Sequence, residues 1–179
     1  MTPPKPSLVI HPWPLAGAAR VAAAAAPILP ELQEARVWLL AEDGTQLPGA
    51  ETLNASQLAA ARAEDPAILD EALYFFCPPG LAFDDFGRMR VILFHEQLAI
   101  VGGSRFAAGA RWQTSRLRKI AGRLGRKTIG EWGDANFGAL LLAPGLITQA
   151  ATPDPRVVAE LVRTNDWPME EVGVNVSSG

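Results

Sequence analysis

Apolar and polar positions along the chain fall into short blocks separated by proline and glycine. Ser7 to His11 reads as a short strand. Pro14 followed by an alanine-rich run predicts a first helix ending near Pro27, because alanine has the strongest helix propensity. Ala35 to Ala41 (ARVWLLA) reads as a strand, and Asp43-Gly44 after it reads as a hairpin-type turn. Asn54 with Gln57 three residues on has the form of a capping box, which predicts a helix through Arg62. Asp65-Pro66 predicts a second capped start and a short helix to about Glu71. Leu73 to Cys77 (LYFFC) reads as a buried strand stopped by Pro78-Pro79-Gly80.

The second half carries more hairpin signals. Residues 78–87 read as a loop. Met89 to Phe94 and Leu98 to Val101 read as two strands around His95-Glu96-Gln97, ended by Gly102-Gly103. A basic helix is expected from about Thr114 to Leu124, with Gly125 as its C-cap. Ala139 to Ala143 and Leu146 to Gln149, split by Pro144-Gly145, suggest another hairpin, and Asp154-Pro155 starts a last helix through about Arg163. The fold class expected from this pattern is α+β, a single domain with a largely antiparallel sheet and helices packed on it. The expected boundaries are a disordered lead-in at 1–6, the domain at 7–172 and a flexible tail at 173–179.

Composition agrees with a globular chain: 179 residues, 49% apolar and 20% charged, enough to bury a core without covalent staples. The single cysteine, Cys77, excludes an internal disulfide and a zinc site of several thiolates. The longest apolar run, Val21 to Leu29, is broken by Pro27 and falls far short of the ~20 residues that span a bilayer. The N-terminal prolines and Arg20 make a poor secretory signal. A cytoplasmic protein with no membrane partner is the expectation.

Charge changes the picture most. The net charge is −3, yet eight of the sixteen basic residues lie between Arg105 and Lys127, and no Asp or Glu occurs between Glu96 and Glu131. At about 100° per residue, Leu117, Ile120, Ala121 and Leu124 share one helix face and the cations take the rest. The apolar face is expected to pack on the sheet, leaving the basic face for an anionic partner. The candidate nucleic-acid-binding set is Arg111, Trp112, Arg116, Arg118, Lys119, Arg123, Arg126 and Lys127, with Trp112 as a stacking platform and the arginines on phosphates. Nineteen acidic residues stand elsewhere in the chain, so the weight of this patch depends on whether they cover it. Ile120 to Gly125 resembles the first helix and turn of helix-turn-helix modules. Thr128-Ile129 comes too early for that pattern, and Gly130 and Gly133 weaken a second helix.

Candidate chemistry is sparse. His95 lies in a segment similar to the His-x-Lys motif of phospholipase D-like phosphoryl transferases, but Gln97 stands at the lysine and Gly102 at the aspartate position. Asp84 and Asp85 are an acidic pair with the oxygen ligands of Mg²⁺ sites. No catalytic residue, metal site or cofactor is assigned. The expected function is a non-enzymatic binding module whose basic amphipathic helix meets nucleic acid or another polyanion. The alternatives are an interaction or assembly protein, as a homo-oligomer or on an acidic protein surface, and a small hydrolase or phosphoryl-transfer enzyme using His95 with Asp84 or Asp85.

Overall fold

A computed structural model of the chain describes residues 7–32, 36–64, 71–146 and 154–177. Seven strands form one sheet: β1 (Leu8–Pro12), β2 (Val37–Leu40), β3 (Glu51–Leu53), β4 (Leu73–Cys77), β5 (Ile100–Ser104), β7 (Leu140–Leu142) and β8 (Met169–Gly173). Their order is β3-β2-β1-β4-β7-β5-β8. β3, β2, β1 and β4 pair in parallel, as do β5 and β8, and only β7 runs against its neighbours. A small second sheet pairs β6 (Arg111–Gln113) with β9 (Asn175–Ser177), also in parallel. β9 lies in the stretch expected to be a loose tail.

The expected antiparallel sheet is therefore wrong, and burial gives the reason. β1, β2 and β4 are buried along their whole length. A strand covered on both faces needs a continuous apolar run, and such runs belong to parallel sheets between helix layers. The turn at Asp43-Gly44 joins no hairpin, since β2 and β3 are parallel. Asp43 instead caps the next bend by accepting from Thr45 N at 3.0 Å and Thr45 Oγ1 at 2.6 Å.

On one sheet face lie α1 (Ala18–Ala25), a single turn α2 (Leu29–Leu32) and α4 (Asp84–His95). Val21 and Ala25 of α1 and Phe86, Met89 and Leu93 of α4 meet Ile10, Leu39 and Phe75 there. The opposite face takes α3 (Ala55–Glu64) and α6 (Pro155–Thr164), with Val158, Ala159 and Val162 against Trp38, Tyr74, Phe76 and Leu140. The expected hairpin at 89–101 is thus half helix. Phe86, Met89 and Leu93, spaced three and four apart, point inward, while Val91 and Phe94 are exposed. The run VILF looks like a strand only because two of its apolar side chains face solvent.

Local signals hold where capping decides. Asn54 N donates to Gln57 Oε1 and Gln57 N to Asn54 Oδ1, both at 2.8 Å, closing the capping box of α3. Asp154 accepts from Arg156 N at 2.8 Å at the start of α6. β7 pairs with β4 and β5. Residues 147–149 of the hairpin expected at 139–149, and residues 65–70 of the expected short helix, lie outside the described residues.

Candidate functional site

The sheet order reverses between β1 and β4: the chain leaves β1 for β2 on one side and leaves β4 towards β5 on the other. In open α/β sheets such a point leaves a crevice outside the carboxyl ends of the two strands, where ligands bind. Here the crevice itself is filled. Trp13 N donates to Cys77 O at 3.0 Å, tying the two loops together. Gly17 lies so close to Pro79 that an added Cβ would stand 2.6 Å from its Cγ. The open space lies beside it, as a groove of about 830 Å³ between α1 and α4, bordered by β6 and β9.

Three arginines reach this groove from three elements: Arg20 from α1, Arg88 from α4 and Arg111 from β6. Gly80 turns the chain off β4 with φ +92°, and its Cα faces the Ser177 carbonyl too closely for any side chain. That contact, with Ser177 N donating to Gly80 O at 2.9 Å, brings β9 to the rim. Asp85 braces the wall from behind. It is 4% exposed, accepts from the backbone N and the side-chain Nδ2 of Asn175, and accepts from Arg88 at 3.0 Å. Its neighbour Asp84 is exposed in the groove. Among the described residues, Arg20 and Arg111 have no carboxylate within ion-pair distance.

The electrostatics follow. Two guanidiniums without a carboxylate partner, Arg20 and Arg111, and the Asp85-paired Arg88 share the groove with one exposed carboxylate, Asp84. Planar guanidiniums match phosphate oxygens in pairs. The groove can therefore hold a dianion or a diphosphate, with one carboxylate left to accept a proton.

The expected site residues separate into two places. Arg111 is a wall of the groove. Trp112, on the next position of β6, is half-buried under α5 (Arg116–Leu124), with Phe106 edge-on at 5.6 Å and the Arg105 guanidinium 4.5 Å from its ring. Gly122 of α5 sits directly over it, where an added Cβ would meet its ring at 2.7 Å. Trp112 is thus half-covered by packing and does not stand free in solvent. Lys119 and Arg123 border a small cavity of about 220 Å³ with Arg105 and Trp112. Arg116 and Arg118 are exposed, as is Lys127. The Nε of Arg126 donates to Gly133 O at 2.8 Å.

His95 ends α4 as an exposed side chain, with its Nδ1 2.7 Å from Glu96 Oε1. Asp84 and Asp85 open the same helix at its other end, so the chemistry imagined between His95 and this pair is not assembled. Sequence reading missed Arg20 and Arg88. The signal available was a fully apolar strand, then Pro-Pro-Gly, then a helix, which is the strand-to-helix turn at which such sheets bind ligands.

No protein-family model and no curated protein matches the chain. Solved structures do match. Glucosyl-3-phosphoglycerate synthase from Mycobacterium tuberculosis, in complex with Mn²⁺, uridine diphosphate and phosphoglyceric acid, matches with a TM-score of 0.58 at 16% identity, over 97% of this chain and 70% of that one. The same enzyme with Mn²⁺, UDP-glucose and phosphoglyceric acid gives 0.56 at 17% identity, over 97% and 71%. What is shared is the fold. It is a mostly parallel, Rossmann-like sheet, and the match spans nearly the whole of this chain. The expectation of a non-enzymatic nucleic-acid or interaction module built on one basic helix is corrected by this match: the solved structures that share the fold are of an enzyme, glucosyl-3-phosphoglycerate synthase. Among the described residues, no helix is long and apolar enough to cross a membrane.

Proposed function

We propose that the protein is a transferase that takes a nucleoside-diphosphate sugar as donor and holds its diphosphate with arginines instead of a divalent metal. The observation that carries this reading is the groove beside the carboxyl end of β4, with Arg20, Arg88 and Arg111 converging on it.

The fold match brings Mn²⁺ into question, and the donor set here does not fit it. Among the described residues no group of three or more His, Cys, Asp or Glu side chains could hold a metal ion. The residues after β4 are Pro78, Pro79 and Gly80. Asp84 stands alone, Asp43 is bonded to Thr45, and Glu42 Oε1 accepts from Ala55 N at 2.9 Å. No step is therefore routed through a metal.

In the transfer, the bond between the sugar's anomeric carbon and the β-phosphate oxygen breaks, and an acceptor hydroxyl forms the new bond at that carbon. The leaving diphosphate takes the electron pair, and the guanidiniums stabilise its charge as it develops. Asp84 accepts the hydroxyl proton. Cys77 takes no part: burial pushes its thiol pKa up, so it stays protonated. On this reading the protein works in the cytoplasm, where its lone thiol remains reduced.

The test is release of nucleoside diphosphate from a panel of UDP-, GDP- and ADP-sugars in the presence of a chelator. Turnover of one donor is expected, with Arg20→Ala and Arg111→Ala each costing about tenfold or more in kcat/KM, the loss of one charge-assisted pair. No turnover of any donor, or variants as active as the parent protein, would sink the proposal.

A further inference from the structure

The apolar stripe of α5 faces away from the protein. Leu117 is 79% exposed, Ile120 49% and Leu124 85%, and no residue of the helix is buried. The expectation that these side chains pack on the sheet is corrected. Gly122, on the far side of the helix, occupies that place against Trp112 and Phe106. A soluble protein leaves single leucines in water without consequence, but three on one helix face form a surface made for something.

The cations say what. At about 100° per residue, Arg116 and Arg123 flank the stripe on its Ile120 side, while Arg118 stands about 100° beyond Leu117 on the other side, towards Gly122. Each stands roughly a quarter-turn or a little more from the leucines, with Lys119 further round. None of these four is ion-paired with a carboxylate among the described residues, and no acidic residue occurs from 97 to 130. Among the described residues no helix is long and apolar enough to cross a membrane, so the stripe suits a helix lying on a surface.

We infer that α5 docks the protein on an anionic lipid surface, lying in the interface plane with Leu117, Ile120 and Leu124 in the acyl boundary and Arg116, Arg118 and Arg123 among the headgroup phosphates. An apolar edge with long cations on both flanks lets the leucines sink while the guanidiniums stay at headgroup level. A folded acidic protein would have to present a groove lined with carboxylates on both rims. A bilayer needs no such matching. The inference stands on the helix alone and does not depend on the transferase reading.

Flotation of the full-length protein with vesicles tests it. Binding is expected to phosphatidylcholine–phosphatidylglycerol vesicles and not to phosphatidylcholine alone. The double substitution Leu117→Ser/Leu124→Ser is expected to weaken it by about tenfold or more, from the apolar area withdrawn. Both side chains are exposed, so melting temperature should hold. Leu117→Cys carrying an environment-sensitive fluorophore reports insertion directly, because the native Cys77 is buried and stays unlabelled. A blue shift on anionic vesicles supports the inference. Binding that survives the leucine substitutions but not Arg116→Glu/Arg118→Glu would mean charge adsorption without insertion and would overturn it. Absence of vesicle binding, whether with concentration-dependent self-association through the leucines or with tight binding to nucleic acid, would overturn it as well.

Discussion

Single residues in this fold answer to burial more than to charge. His11 is 2% exposed, its Nδ1 2.6 Å from the Tyr74 hydroxyl, and its Nε2 has no partner. Burial lowers its pKa from 6.5 to about 4. The unfolded chain therefore binds this proton at a higher pH than the folded one, so the protein loses stability as pH falls from 6.5 towards 4. The loss is on the order of 2–3 kcal/mol. Equilibrium denaturation across that range should show His11→Phe with a flatter acid limb than the parent; equal slopes would mean His11 is not responsible. Asp134 is the opposite case, fully buried and held by Arg105 through Nε and Nη2 at 2.9 Å each and its backbone N at 3.0 Å. Removing it strands a mostly buried guanidinium, so Asp134→Ala should cost about 3–5 kcal/mol in a urea melt, and a cost under 1 kcal/mol would contradict the pairing. Neither role is legible in the chain. His11 sits among prolines, and Asp134 lies twenty-nine positions from Arg105, so only the fold pairs them.

Elements were legible where the chain caps itself and illegible where exposure is decided at a distance. The Asn54–Gln57 box starts α3 as its spacing predicts, and Asn54→Ala should lower stability by about 1 kcal/mol, with Asn54→Asp close to neutral, in the same melts. Asp154-Pro155 starts α6 in the same way. The basic helix was expected over nearly the residues it occupies. What periodicity could not tell is which of its two faces meets the protein, because a glycine can dock a helix as closely as a row of leucines can. Met89 to Phe94 failed for a related reason: Val91 and Phe94 are apolar yet exposed, which erases the alternation between helix faces. Gly102-Gly103 ends no strand. It lies inside β5, where the missing side chains make room for Trp132 and Ala139.

At the scale of the molecule, the decisive property is strand direction, which no local pattern encodes. The clue was that β1, β2 and β4 are apolar but for His11 and buried along their whole length, as strands between two helix layers must be. Once they run in parallel, their carboxyl ends share one rim, and arginines at positions 20, 88 and 111 converge from three separate elements on one groove. Of these only Arg111 stood out in the sequence, and for a different reason. In the proposed transferase those guanidiniums hold a diphosphate without a metal. Calorimetric titration of the chelator-treated protein with UDP, GDP and ADP, repeated with Mn²⁺ in place of chelator, tests this most directly. One nucleotide should bind with an affinity unchanged within about twofold by the metal and about tenfold or more weaker in Arg20→Ala. Binding that appears only when Mn²⁺ is added would contradict it.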